Sequence, residues 1–232
     1  MKCIGLLGGM SWQSTAIYYR LLNQAIAQRL GGLASARLVM ISENFADIEA
    51  MQRRNDWAAA GRLLARDAVR LQAAGADCVL ICTNTMHKVA GQVVAAINVP
   101  LLNLIDATAT RVRAAGVRRI ALLGTRFTME QDFYRERLRA QGLDVLTPPP
   151  QDRRRVDQII FEQLCVGDVR DDARAEYLRI IQALRTQGAQ AVVAGCTEIG
   201  LLIGPDRVDC PYFDTTAIHV QAAVSFALAG EC

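Results

Sequence analysis

Histidine is nearly absent from this chain, with two in 232 residues. A metal centre built from imidazoles, which usually draws on two or three, is therefore not expected. No CxxC pair occurs. The seven cysteines (Cys3, Cys78, Cys82, Cys165, Cys196, Cys210 and Cys232) are scattered and odd in number. That pattern argues against a disulfide framework or a zinc site and for a reducing, cytoplasmic setting. No apolar run approaches the roughly 20 residues a membrane span needs, and the apolar part of the opening "MKCIGLLGGM" is too short for a signal peptide. Neither sign of charge dominates, the net being +3. The densest basic stretch, "DRRRVDQ" with Arg153 to Arg155, is flanked by acids and reads as a solvated helix start rather than a phosphate-binding patch. Neither a nucleic acid nor a membrane is expected as a partner. "GGM" at residues 8 to 10 lacks the GxGxxG spacing of a dinucleotide fingerprint.

What is present is a globular composition, 52% hydrophobic, arranged as alternating strands and helices. "CIGLLG" is followed by a helix from about Ser14 to Leu30, "ARLVMISE" by one from about Trp57 to Ala74, and then comes "DCVLIC". Short apolar strands separated by amphipathic helices imply βαβ units, an α/β fold and parallel sheets flanked by helices. The pattern occurs twice. "IGLLGGMSWQSTAIYYRLLN" near the start returns as "IALLGTRFTMEQDFYRERLR" from Ile120. "LQAAGADCVLICTNTM" returns as "LRTQGAQAVVAGCTEI", and "VPLLNLIDATA" more weakly as "CPYFDTTAI". Two copies are too few for a solenoid. They predict two similar lobes related by a pseudo-twofold axis, residues 1–98 plus 210–232 and residues 99–209. With no Pro/Gly/Ser-rich linker between them, a tight junction and an interlobe cleft are expected.

The repeat aligns Gly75 with Gly188, and so Thr83 with Cys196, Asn84 with Thr197 and Thr85 with Glu198. Both stretches come to the carboxyl end of a strand and turn into a helix, which is where open α/β sheets bind ligands. Helix N-terminal N–H groups there would favour a carboxylate. Two facing lobes would aim Thr83 and Cys196 at one ligand from opposite sides, the arrangement that inversion at a stereocentre requires. The glycine-flanked turn and nearby N–H groups are expected to lower the Cys196 pKa toward a usable thiolate. Cys3, Cys78 and Cys165 read as inert core cysteines. His87 and His219 fall at matching positions of the two copies, where support of the site and ordinary packing are both open. Asp214 reads as a helix cap.

Together, "GLLGGMSWQST", "CTNTMHK", "GCTEIGLL" and "FDTTAIH" resemble the aspartate/glutamate/hydantoin racemase family, which does without pyridoxal phosphate. The likeness runs over nearly the whole chain and is greatest to members specific for L-aspartate and L-glutamate. The resemblance implies an amino-acid racemase with no cofactor, a dicarboxylic amino-acid substrate and a homodimer. Where the family has Cys-Asn-Thr, this chain has Thr83-Asn84-Thr85. Cys82 lies one residue early, and on a strand that turns a side chain to the other face. Thr83 is therefore taken as the proton donor opposite the thiolate of Cys196, which removes the α-proton of the L-enantiomer. Asn84, Thr85, Thr197 and Glu198 would bind the substrate, with Met10 lining the pocket and Gln52 within it. Arg53 or Arg54 would meet the side-chain carboxylate, with Arg54, His87 and His219 as possible support. Related decarboxylases of arylmalonates, maleate-type isomerases and a catalytically silent amino-acid-binding protein are the alternatives.

Overall fold

The computed structural model describes residues 1–230, so Glu231 and Cys232 lie outside the described residues. The chain forms two compact units, one of residues 1–104 with His219 onward and one of Ile105–Ile218.

The first unit is built on β1 (Ile4–Gly8), β2 (Leu38–Ser42) and β3 (Cys78–Ile81), all parallel and in the order β2-β1-β3. Parallel neighbours need crossovers, supplied by α1 (Trp12–Leu30) and by α2 (Phe45–Arg53) with α3 (Trp57–Ala73), and α4 (Ala90–Ala96) follows β3. Every residue of β1 and β3 is buried, as in a strand covered on both faces. The two-residue period of the strands sorts their side chains. Leu7, Val79 and Ile81 pack with Leu64, Ala68 and Leu71 of α3 and Val93 of α4. Ile4, Leu6, Cys78, Leu80 and Cys82 pack with Tyr18, Leu22 and Ile26 of α1 and with Val220, Ala223 and Val224 of the C-terminal helix.

The second unit begins inside α5 (Leu104–Ala114) and holds β4 (Arg119–Gly124), β5 (Asp144–Leu146), β6 (Ala191–Gly195) and β7 (Tyr212–Asp214). These are parallel, in the order β5-β4-β6-β7. Its helices are α6 (Arg126–Glu130), α7 (Asp132–Ala140), α8 (Pro150–Glu162), α9 (Asp171–Thr186), the single turn α10 (Ile199–Leu202) and the start of α11 (Thr215–Leu228). Ala121, Leu123, Val192 and Ala194 form its core with Val156 and Ile160 of α8 and Ile180 and Leu184 of α9. The "DRRRVDQ" stretch lies within the first turns of α8, where Arg153 pairs with Glu130 at 3.1 Å.

The chain divides at 104/105 and 218/219, later than the sequence boundaries of 98/99 and 209/210. The cause is β7. It hydrogen-bonds to β6, so Tyr212–Asp214 completes the second sheet, and the return to the first unit waits until the middle of α11.

The loop after β1 shows why "GGMSWQST" reads as it does. Gly9 has φ +83°, and a Cβ there would sit 2.1 Å from the Glu43 carbonyl oxygen. Its N–H donates to Thr15 Oγ1 at 2.8 Å, the Thr15 hydroxyl donates to the Ser11 carbonyl at 2.9 Å, and Ser11 Oγ caps α1 through the Ser14 N–H. The hydroxyls thus close the turn on itself, and only glycine admits the Glu43 backbone just past β2. Gly9→Ala should lower unfolding free energy by at least about 2 kcal/mol, from left-handed strain plus backbone collision. Urea unfolding checks this, and a loss under about 0.5 kcal/mol, the range of an ordinary surface change, would contradict it.

Candidate active site

In the second unit, β6 ends at Gly195, whose backbone closely approaches β4: a Cβ on Gly124 would stand 2.8 Å from the Gly195 carbonyl oxygen. Cys196 follows, half-buried, and its thiol donates to Glu198 Oε2 at 2.9 Å. The turn is tied to the start of α11. Thr215 donates its hydroxyl to the Ala194 carbonyl at 2.8 Å, and the hydroxyls of Thr197 and Thr216 lie 3.0 Å apart. Asp214 caps α11 by accepting from the N–H groups of Thr216 and Ala217, as the sequence suggested. Thr197 and Glu198 are both buried.

The expected lowering of the Cys196 pKa is not what this environment produces. Burial pushes the thiol well above its ordinary value, and the Glu198 carboxylate adds to this by its charge and its hydrogen bond. A backbone N–H, that of Glu198, acts the other way and is outweighed. The reason lies in the secondary structure. The sequence suggested a helix starting here, but α10 spans only four residues. The corresponding segment of the first unit, Thr85–Val89, is a 3-10 turn. Neither supplies the aligned peptide dipoles of a regular helix N-terminus.

In the first unit the chain leaves β3 through Cys82, Thr83 and Asn84. Cys82 is fully buried against α1 and the C-terminal helix, and burial raises its thiol pKa far above the ordinary range. Thr83 is half-buried, while Asn84 and Thr85 are buried. The backbone here is gripped by side chains. Ser14 donates its hydroxyl to the Cys82 carbonyl at 2.9 Å, and His87 Nδ1 meets the Thr83 carbonyl at 2.8 Å. Cys3 and Cys78 are buried too, and Cys165 packs against the core; burial pushes the thiols of Cys78 and Cys165 up to about 12.

The remaining expected pocket residues lie less openly. Met10 is 4% exposed and belongs to the apolar cluster around Leu7 and Ile81. Gln52, on α2, is buried with its amide nitrogen 3.2 Å from Met86 Sδ. Arg53 is exposed and paired with Glu49 at 2.8 Å, which makes it a surface ion pair. Arg54, the residue after α2, is exposed. Among the described residues no group of three or more His, Cys, Asp or Glu side chains could hold a metal ion, and no helix is long and apolar enough to cross a membrane.

Both histidines belong to the first unit, in one network. Tyr18 Oη lies 2.8 Å from His219 Nδ1, and His219 Nε2 lies 2.7 Å from the Leu102 carbonyl oxygen. The His87 and His219 rings meet edge to face at 5.8 Å. Sequence reading missed Tyr18, Ser14, Thr215 and Thr216 as partners of the two turns. Their signal was in plain sight, because they stand within the repeated motifs, Tyr18 and the fully buried Tyr134 at equivalent positions of the two copies.

Two outcomes are expected. Glu198→Gln removes both influences of the carboxylate on Cys196, so its alkylation by iodoacetamide near pH 8 should quicken by roughly tenfold, the effect of one pKa unit on a mostly protonated thiol. Mass spectrometry of the labelled peptide reads this, and an unchanged or slower rate would show that Glu198 does not hold the thiol proton. The second concerns His219, whose pKa burial and the neighbouring His87 press down to about 3. A depressed pKa stabilises the fold above the unfolded value near 6.5. As pH falls from there toward 3 that contribution, on the order of 5 kcal/mol, should be lost. Thermal melts across this range should fall more gently in His219→Gln than in the wild type, and equal slopes would refute the assignment.

The sequence of residues 7–223 matches the family described as Asp/Glu/hydantoin racemase. A solved structure of a proposed Asp/Glu racemase from Yersinia pestis is 48% identical, with a TM-score of 0.93 over 98% of this chain and 100% of that one. An aspartate racemase homologue from Pyrococcus horikoshii OT3 is 33% identical, with a TM-score of 0.86 over 98% of this chain and 99% of the other. Among curated proteins, the broad specificity amino-acid racemase RacX of Bacillus subtilis (strain 168) is 22% identical over 70% of each chain. The two parallel sheets flanked by helices are those of the solved relatives, and this chain belongs to the Asp/Glu/hydantoin racemase family.

Proposed function

We propose that this protein inverts the α-carbon of L-aspartate and L-glutamate without a cofactor, with Cys196 and Thr83 as its two proton-handling groups. Family membership and the sequence of the aspartate racemase homologue support an amino-acid racemase; the substrates and the roles of the two residues are our own reading. The observation that carries it is the hydrogen bond from the Cys196 thiol to Glu198. A thiol whose proton already lies along a line to a carboxylate is poised to lose it. When the substrate's ammonium group enters, its positive charge offsets the negative charge that now raises the thiol pKa. The proton passes to Glu198, and the thiolate takes the α-proton of the L-enantiomer. Thr83 then donates its hydroxyl proton to the opposite face of the carbanion and regains one from water. Glu198 returns its proton to solvent. A hydroxyl is acidic enough to quench a carbanion, although too weakly acidic to rest as a base near neutral pH.

Asn84, Thr85 and Thr197 would hold the α-carboxylate through hydroxyl, amide and backbone donors. Arg54 would meet the side-chain carboxylate, since its guanidinium, unlike that of Arg53, is not engaged in the Glu49 ion pair. Met10 and Gln52 would shape the wall behind these donors from their buried positions. A cytoplasmic homodimer acting on a small dicarboxylic amino acid completes the proposal.

Cys196→Ser should fold with an unchanged melting profile and lose at least about 100-fold in inversion, because an unactivated hydroxyl cannot replace the thiolate. Thr83→Cys should raise turnover from the D-enantiomers by supplying a second thiol base. With an equilibrium constant of unity, kcat/KM must be equal in the two directions for each enzyme, so a gain confined to the D-side has to appear as kcat and KM moving together. Initial rates from both enantiomers of each amino acid, followed by chiral chromatography, test this. Near-wild-type inversion by Cys196→Ser would sink the mechanism, and gas release from a malonate substrate in place of inversion would move the protein to the decarboxylases.

A further inference from the structure

The hydrogen bonds around His87 admit one protonation state. The Leu104 N–H lies 3.1 Å from His87 Nε2 and can only donate, so Nε2 presents its lone pair. The Thr83 carbonyl, 2.8 Å from Nδ1, can only accept, so Nδ1 carries the proton. His87 is therefore a neutral imidazole with Nδ1 protonated, joining two backbone groups that no sheet or helix bond satisfies. One is the carbonyl of the residue that leaves β3, and the other is the first N–H of α5, an orphan donor by its place in the helix. The same logic fixes His219. The Leu102 carbonyl requires a proton on Nε2, and Nδ1 then accepts from Tyr18, leaving that ring neutral as well. His219 stands edge-on to His87 at 5.8 Å and holds the segment two residues ahead of Leu104. The chain around Thr83 is thus braced from two elements, α1 through the Ser14 hydroxyl on Cys82 and the Leu102–Leu104 segment through the paired imidazoles.

We infer that His87 is a positioning residue for Thr83, with His219 as its backstop. Resting on the Thr83 role proposed above, this says how a threonine hydroxyl is aimed well enough to act. A carbonyl held at 2.8 Å fixes the Thr83 peptide plane, and with it the direction in which Cβ and the hydroxyl project. Without that bond the turn is free to rotate about the Thr83–Asn84 peptide. Misaiming by about 1 Å is enough to cost on the order of 100-fold in a proton transfer. His87 itself touches no reacting atom.

Two amide variants, each matching one of the two ring-nitrogen positions, separate positioning from folding. In His87→Asn the amide nitrogen lies as many bonds from Cβ as Nδ1, so the donor to Thr83 is kept and the link to Leu104 lost. His87→Gln places its amide where Nε2 was, keeping the Leu104 side and losing the grip on Thr83. Inversion from L-aspartate or L-glutamate should fall at least about tenfold in kcat in His87→Gln with KM within about twofold, and His87→Asn should recover most of it. In deuterium oxide, wash-in of α-deuterium to unreacted L-substrate needs only Cys196 and should persist in both. In a Thr83→Ala background the two His87 variants should not differ in wash-in. Equal loss of inversion in Asn and Gln variants, or parallel loss of inversion and wash-in, would reduce His87 to a packing residue and overturn the inference. A wild-type protein with neither wash-in nor inversion would instead overturn the racemase assignment on which it rests.

Discussion

A strand buried on both faces must end, and its last carbonyls, cut off from the sheet, still need donors. In this protein side chains supply them at both strand ends of interest. Ser14 and His87 satisfy the carbonyls of Cys82 and Thr83, just past β3, and the Thr215 hydroxyl adds a bond to the carbonyl of Ala194 near the end of β6. Each bond turns a chain reversal that could flex into a fixed platform. The partners that hold these turns lie far away in sequence, 68 residues for Ser14 and Cys82 and 21 for Thr215 and Ala194. Buried satisfaction of this kind is favourable only when complete, so each donor is as much a part of the turn as the turn itself.

The same economy of polar groups governs the acid–base state of the second turn. Burial alone would leave Cys196 an inert thiol like Cys78 or Cys82. Glu198 does not activate it in the resting protein and in fact strengthens its hold on the proton. What distinguishes Cys196 is that the proton has a short route to a carboxylate. Cys82 lacks one, its raised pKa being due to desolvation alone. A thiol kept protonated is protected from oxidation and alkylation, since both act on the thiolate.

The two copies of the repeat reach similar turns by different chemistry. Both begin with an apolar strand and glycine, and both bury a tyrosine at the same place in the copy, Tyr18 and Tyr134. In the first unit the brace is imidazole and serine, and in the second it is the paired hydroxyls of Thr197 and Thr216 with Thr215 and the Asp214 cap. After the strand the copies diverge further, into a 3-10 turn continuing as α4 and into the single turn α10. The two copies thus share their strands and differ in the side chains that support the turns.

The sequence by itself determined the strands, the long helices and the doubling of the pattern. β1, β3 and β6 are continuous apolar runs bounded by glycine or small polar residues, and α1 and α3 begin and end within two residues of their sequence limits. Periodicity is a local property, so it can be read locally. The same two-residue alternation put Cys82 on the face of Cys78 and Leu80, and Cys82 does lie in that core. The shift of the unit boundary to 218/219, the burial of Met10 and Gln52, the brevity of the elements after Thr83 and Cys196, and the raised rather than lowered Cys196 pKa were decided only by tertiary structure. Each depends on which residues distant in the chain come together. β7 joins a sheet by hydrogen bonds that no local pattern encodes, and a thiol's pKa depends on the solvent it loses and the carboxylate it faces, neither of which is written in the residues beside it.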